Sequence, residues 1–217
     1  MAKGKKISMI NIIVLAVLVV CLVLAIVGLS VDKWTDVKVN EDIQDSIFGG
    51  VAEDMTEDAG SSFGDLVELV TDDEFKTAME EYKAMIDEAK EAGLEGEALE
   101  AIEAPYKASQ EYVAIVAFGL ITVLLLAVAV VVAVLNLFVN IGFLRFIVLV
   151  AGILALVAGI IAVALTGDVI ALSEDLGDIA DATVKPVIGA GAALLAVGGI
   201  VGGLSGVVSF FFGKKKK

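Results

Sequence analysis

Residues 112–144 read YVAIVAFGLITVLLLAVAVVVAVLNLFVNIGFL, without one charged side chain. An α-helix needs about 20 apolar residues to cross a hydrocarbon core about 30 Å thick, so this run can cross a membrane and then begin to turn. The turn is written near its end, where Asn136, Asn140 and Gly142 lead to Arg145, and residues 146–167 are again uncharged. A connection that short joins antiparallel neighbours. Two further uncharged runs, residues 7–31 and 186–213, lie on either side of this hairpin. All four are continuously apolar and lack the alternation that barrel strands require, so they read as helices.

The predicted fold is an all-α membrane protein: four transmembrane helices with a mainly helical, acidic extracellular domain between the first and second. The parse is a basic terminus at 1–9, helices at 10–31, 112–135, 146–166 and 187–212, an acidic domain at 32–111, a short turn at 136–145, a short acidic loop at 167–186, and a lysine tail at 213–217. The first run exceeds the apolar core of about 7 to 15 residues typical of a cleaved signal peptide, and it reads as a retained helix.

Charge is sorted along the chain. Residues 32–111 hold 24 acids against 6 lysines, and residues 166–185 hold the other 5 acids and one lysine, which accounts for all 29. The remaining basic residues are Lys3, Lys5, Lys6, Arg145 and the run 214–217. Loops rich in lysine and arginine stay in the cytoplasm, so the rule puts both termini and the 136–145 turn inside and both acidic loops outside, in a multi-pass protein of the cell membrane. An outward negative field repels nucleic acid and attracts cations. The expected partners are therefore the bilayer and either a second copy or another membrane or extracellular protein, with no nucleic acid.

The acidic domain carries helix signals. Asn40 can cap a short helix bearing Ile43 and Ile47, ended by Gly49 and Gly50, and residues 57–64 read as a loop. The sequence TDDE at 71–74 has the form of a capping box. Behind it Phe75, Met79, Tyr82, Met85, Ile86 and Ala89 recur at helical spacing, and Gly93 supplies a stop. Leu94, Leu99 and Ile102 mark a further piece, and Pro105 either breaks the pattern or opens the next helix. Between the third and fourth spans, Val169, Ile170, Leu172, Leu176 and Ile179 alternate with acids, as in a short amphipathic helix lying on the membrane surface.

Residues for helix packing stand out. Ala151, Ala155 and Gly159 repeat every fourth position in the third span; Gly198, Gly202 and Gly206, with Gly199 and Gly203 beside them, do so in the fourth. Small residues at that spacing let helices approach closely in lipid, on each other or on another subunit. Trp34, just past the first span, and Phe210, Phe211 and Phe212, at the end of the fourth, have the positions of membrane-interface anchors.

Chemistry has little to work with. The chain has no histidine and one cysteine, Cys21, inside the first span, so no intrachain disulfide forms, and no phosphate loop, nucleophile elbow or cofactor signature is present. Asp72, Asp73 and Glu74, and Glu53, Asp54, Glu57 and Asp58, offer oxygen ligands, but neither group has the spacing of a calcium loop. Diffuse cation attraction by Asp72, Asp73, Glu74, Asp168, Asp175 and Asp178 is the expectation. No acid lies within a span, where coupled carriers place them. The reading is a non-enzymatic tetraspan protein that self-assembles or serves as a structural or accessory subunit; the alternative is a subunit of an oligomeric cation channel with an acidic outer vestibule.

A resemblance supports the first of these. The order of a large first loop and a small second one, the segment GLSVDKW at 28–34, the run AGILALVAG at 151–159 and the glycine-rich run from Ile188 to Gly203 are similar to the claudin and peripheral-myelin-protein superfamily of four-helix membrane proteins. Members close to claudins build the first loop of strands and place two disulfide-forming cysteines there; this loop has no cysteine and reads as helices. The resemblance implies lateral assembly, cell contact or an auxiliary role beside another membrane complex, with Trp34 the one motif position carried over.

Overall fold

A computed structural model describes residues 9–39, 60–139, 141–176 and 184–213. In chain order the elements are α1 (Met9–Ser30), β1 (Thr35–Val39), α2 (Phe63–Thr71), α3 (Asp73–Glu91), α4 (Glu97–Val139), α5 (Gly142–Leu176), β2 (Val184–Ile188) and α6 (Ala190–Phe212). Four helices are long and apolar enough to cross a membrane, at Met9–Ser30, Glu97–Val139, Gly142–Ala171 and Ala190–Phe212. The expected helix around Ile43 and Ile47 and the acid group at 53–58 lie outside the described residues.

The chain divides into two compact units, one built from α1 to Leu29, Phe118–Val163 and the chain from Ala192 on, the other from Ser30–Ala117 and Ala164–Gly191. The first is a four-helix bundle. Its core includes Val14, Leu18, Ala129, Ala133, Val148 and Ala151, with Leu126 and Leu195 fully buried. Small side chains set the helix spacing. A Cβ added at Gly203 would stand 2.6 Å from Leu156 Cβ and 2.8 Å from the Gly152 carbonyl oxygen; one at Gly206 would stand 2.8 Å from the Val148 carbonyl oxygen. Contacts this short leave room for hydrogen alone, so α5 and α6 touch backbone to backbone. A Cβ at Gly198 would stand 2.8 Å from the Cys21 carbonyl oxygen of α1, and one at Gly202 would meet Leu126 of α4, so Gly198 and Gly202 serve other neighbours than Gly203 and Gly206, which meet α5.

The second unit departs from the all-α expectation. β1 and β2 pair antiparallel, Thr35 opposite Ile188 and Val39 opposite Val184, and the Thr35 N–H also donates to the Ser61 carbonyl at 3.1 Å. Two loops more than a hundred residues apart thus form one ribbon. Glycine makes the approach possible: a Cβ at Gly60 would lie 2.7 Å from the Thr35 carbonyl oxygen, and one at Gly189 would collide with the Lys33 carbonyl.

Three further expectations are corrected. Residues 168–171 do not begin a separate surface helix, because α5 runs unbroken to Leu176; nothing from Thr166 to Leu176 except Gly167 opposes a helix, and the acids there are compatible with one once the chain leaves lipid. Pro105 neither breaks nor begins α4, which starts at Glu97. The capping box is not at 71–74, since Thr71 closes α2 with its hydroxyl donating to the Val67 carbonyl oxygen at 2.7 Å. Asp72 is the N-cap of α3, accepting the Glu74 N–H at 2.6 Å. The reciprocal box belongs to α2: Ser62 Oγ accepts the Asp65 N–H at 3.1 Å and the Asp65 carboxylate accepts the Ser62 N–H at 2.8 Å. Gly93, at φ +77, ends α3, and the N–H groups of Gly93 and Leu94 return to the carbonyls of Lys90 and Ala89, the paired bonds of a Schellman stop.

Candidate functional site

The loop unit is organised on Trp34. Its side chain is fully buried, with the indole N–H donating to Thr166 Oγ1 of α5 at 3.2 Å and the ring 4.8 Å from that of Phe63 at the start of α2. Its own carbonyl accepts the Gly189 N–H at 2.9 Å, the neighbouring Lys33 carbonyl accepts that of Gly191 at 2.9 Å, and its N–H donates to the Ser61 carbonyl at 2.7 Å. Three segments, residues 61–63, Thr166 and residues 189–191, therefore converge on two residues. An interface tryptophan sets its ring at the lipid headgroups, and an indole with no exposed surface cannot do so; the anchor expectation for Trp34 gives way to a core role. Phe211 and Phe212 are each 64% exposed while Phe210 lies between Phe146 and Phe211 at ring separations of 6.4 and 5.3 Å.

The acids singled out from sequence are dispersed. Asp72 is occupied in capping, Asp73 pairs with Lys76 at 3.0 Å, and Asp72, Asp73, Glu74 and Asp168 are all exposed. The side chain of Asp175 and the whole of Asp178 lie outside the described residues. Among the described residues no three acids or cysteines converge as metal ligands would. Among the described residues, hydrogen bonds from the Ser62 N–H, and then from its side chain, hold the Asp65 carboxyl below the usual carboxylate range, and the Glu103 carboxylate, 2.7 Å from Lys90 Nζ, raises the pKa of that ammonium. The described part of this surface offers exposed carboxylates and helix caps.

Sequence reasoning passed over a second feature, in the bundle unit. Asn11, Asn136, Arg145 and Ser209 are buried, at 6, 3, 7 and 3% exposure. They occupy one end of the bundle, since Gly213 abuts Asn11 Oδ1, Phe210 stacks on Phe146, and α4 and α5 are joined there by two residues. Each helix contributes one polar side chain from its terminal turn. Arg145 stands where α4 and α6 finish, and the partial negative charge of helix C-termini favours a cation; it is partnered. The signal was present in the sequence as asparagine, serine and arginine at the ends of apolar runs, where interface position explains such residues without burial.

The small residues fall mostly inside the bundle. Ala151, Ala155 and Gly159 of α5 are buried, as are Gly198, Gly199, Gly202, Gly203 and Gly206 of α6. Gly199 approaches the Ala155 carbonyl to 3.0 Å and the Thr122 methyl to 3.4 Å, measured from an added Cβ. Thr122, the one hydroxyl in the middle of α4, donates to the Phe118 carbonyl at 2.8 Å, so it is satisfied within its own helix.

Compared with known protein families, with curated proteins and with solved structures, the chain matches none.

Proposed function

We propose that this chain is a structural or accessory subunit of a membrane assembly: a four-span protein of the cell membrane, with both termini cytoplasmic, that displays its acidic unit outside to a partner and performs no chemistry of its own. The observation that carries this reading is the packing of the bundle. Leu18, Leu126 and Leu195 fill its centre with no exposed surface, and backbone-to-backbone contact at Gly152, Gly203 and Gly206 fixes the helices against one another. Such a filled interior supports a structural role over a cation-conducting route within one copy, and the rival reading places that route between copies.

The packing also bears on how the chain assembles. Both glycine faces of α6 are occupied by helices of the same chain, so association with a neighbour uses other surfaces. The ribbon of β1 and β2 gives the displayed unit a fixed point of its own, and Thr35–Val39 supplies a strand after Trp34, which is the kind of element the claudin resemblance implies for the first loop; α2 and α3 are not.

Native mass spectrometry of the protein in nanodiscs, released with whatever co-purifies, tests the proposal. A defined homo-oligomer or a stoichiometric foreign subunit is the expected result. A bare monomer under every mild extraction would overturn it.

A further inference from the structure

Three of the four polar residues at the end of the bundle carry a buried side-chain atom that no hydrogen bond reaches, Asn11 Oδ1, Asn136 Oδ1 and Arg145 Nε, although Arg145 is otherwise partnered. A buried acceptor left unmade is destabilising, and a hydrocarbon surrounding offers no donor to relieve it. Water does. Asn136 lies three residues from the end of α4 and Asn11 is the third residue of α1, which at 1.5 Å per residue puts both within about 5 Å of a helix end. Three positions deeper on the same helix faces come Val14, Ala133 and Val148, members of the apolar core cluster with Leu18, Ala129 and Ala151.

We propose that the Asn11, Asn136, Arg145 and Ser209 layer is a water-binding vestibule, hydrated from the end of the bundle and closed one turn deeper by Val14, Ala133 and Val148. A buried water makes about three hydrogen bonds; the two carboxamide oxygens and the Ser209 hydroxyl are groups that bridging waters can serve at little loss against a direct bond. Terminal turns fray more readily than helix centres, and that fraying lets water exchange with a layer that is closed on average. The apolar layer has no polar group to hold a water, so hydration stops there. This inference is independent of whether the chain assembles with a partner.

The test is thiol accessibility in nanodiscs, in a Cys21→Ala background, with a membrane-impermeant maleimide. A thiol reacts as the hydrated thiolate, so Asn136→Cys is expected to label about tenfold faster or more than Ala133→Cys. The pair Asn11→Cys and Val14→Cys repeats the contrast on α1 and decides the matter if either α4 variant fails to fold. Equally slow labelling of the asparagine and apolar positions overturns the vestibule. Equally fast labelling of both overturns its closure.

Discussion

Trp34 shows how far a residue's surroundings can differ from what its place in the sequence suggests. It lies a few residues beyond an apolar span, where tryptophan commonly marks the lipid interface, and nothing in GLSVDKW distinguishes that setting from a core. What buries it is supplied from far away: Phe63, Thr166 and the backbone of Gly189. Trp34→Ala should therefore cost about 3–5 kcal/mol, as large aromatic truncations in cores do. Trp34→Phe, which keeps the ring against Phe63 and loses the indole donor, should cost about 1 kcal/mol. Hydrogen exchange of β1 and β2 measures both. Unchanged protection in Trp34→Ala would mean that the indole does not hold the ribbon.

At the scale of elements, the spans were legible and the ribbon was not. Long uncharged runs are a strong signal because lipid forces every backbone group to be satisfied within the segment; α1, α5 and α6 begin and end within a few residues of the expected bounds, except where α5 continues past Asp168. The segments TDVKV and VKPVI are five residues each and carry lysine, aspartate or proline; each becomes a strand only because the other is opposite it, and no local pattern contains that. The capping site was misplaced for a related reason: Thr71 and Asp72 both have cap-forming side chains, and the choice fell to Asp72 when α2 used Thr71 as its last residue. Helix packing gives a sharper prediction. Gly203→Ala meets Leu156 Cβ and the Gly152 carbonyl, atoms fixed to the backbone, and should destabilise the bundle by about 1–3 kcal/mol, as overpacking does. Gly202→Ala meets a methyl of Leu126 at the end of a rotatable side chain and should cost less. Unfolding in graded denaturing detergent compares the two, and an equal loss would show that the α5–α6 contact is looser than described.

For the whole molecule, the charge distribution and the helix count make one joint demand. If all four of the long apolar helices cross the bilayer, both termini share one side and residues 32–111, with their 24 acids, share the other. The functional proposal depends on that arrangement, because a unit facing the cytoplasm would meet different partners. Single cysteines at Lys3, Glu80 and Lys217, in a Cys21→Ala background, can be exposed to an impermeant maleimide in sealed right-side-out vesicles. The account predicts labelling of Glu80→Cys alone until the vesicles are opened, when Lys3→Cys and Lys217→Cys react as well. Labelling of either terminus in intact vesicles, or protection of Glu80→Cys, would contradict it.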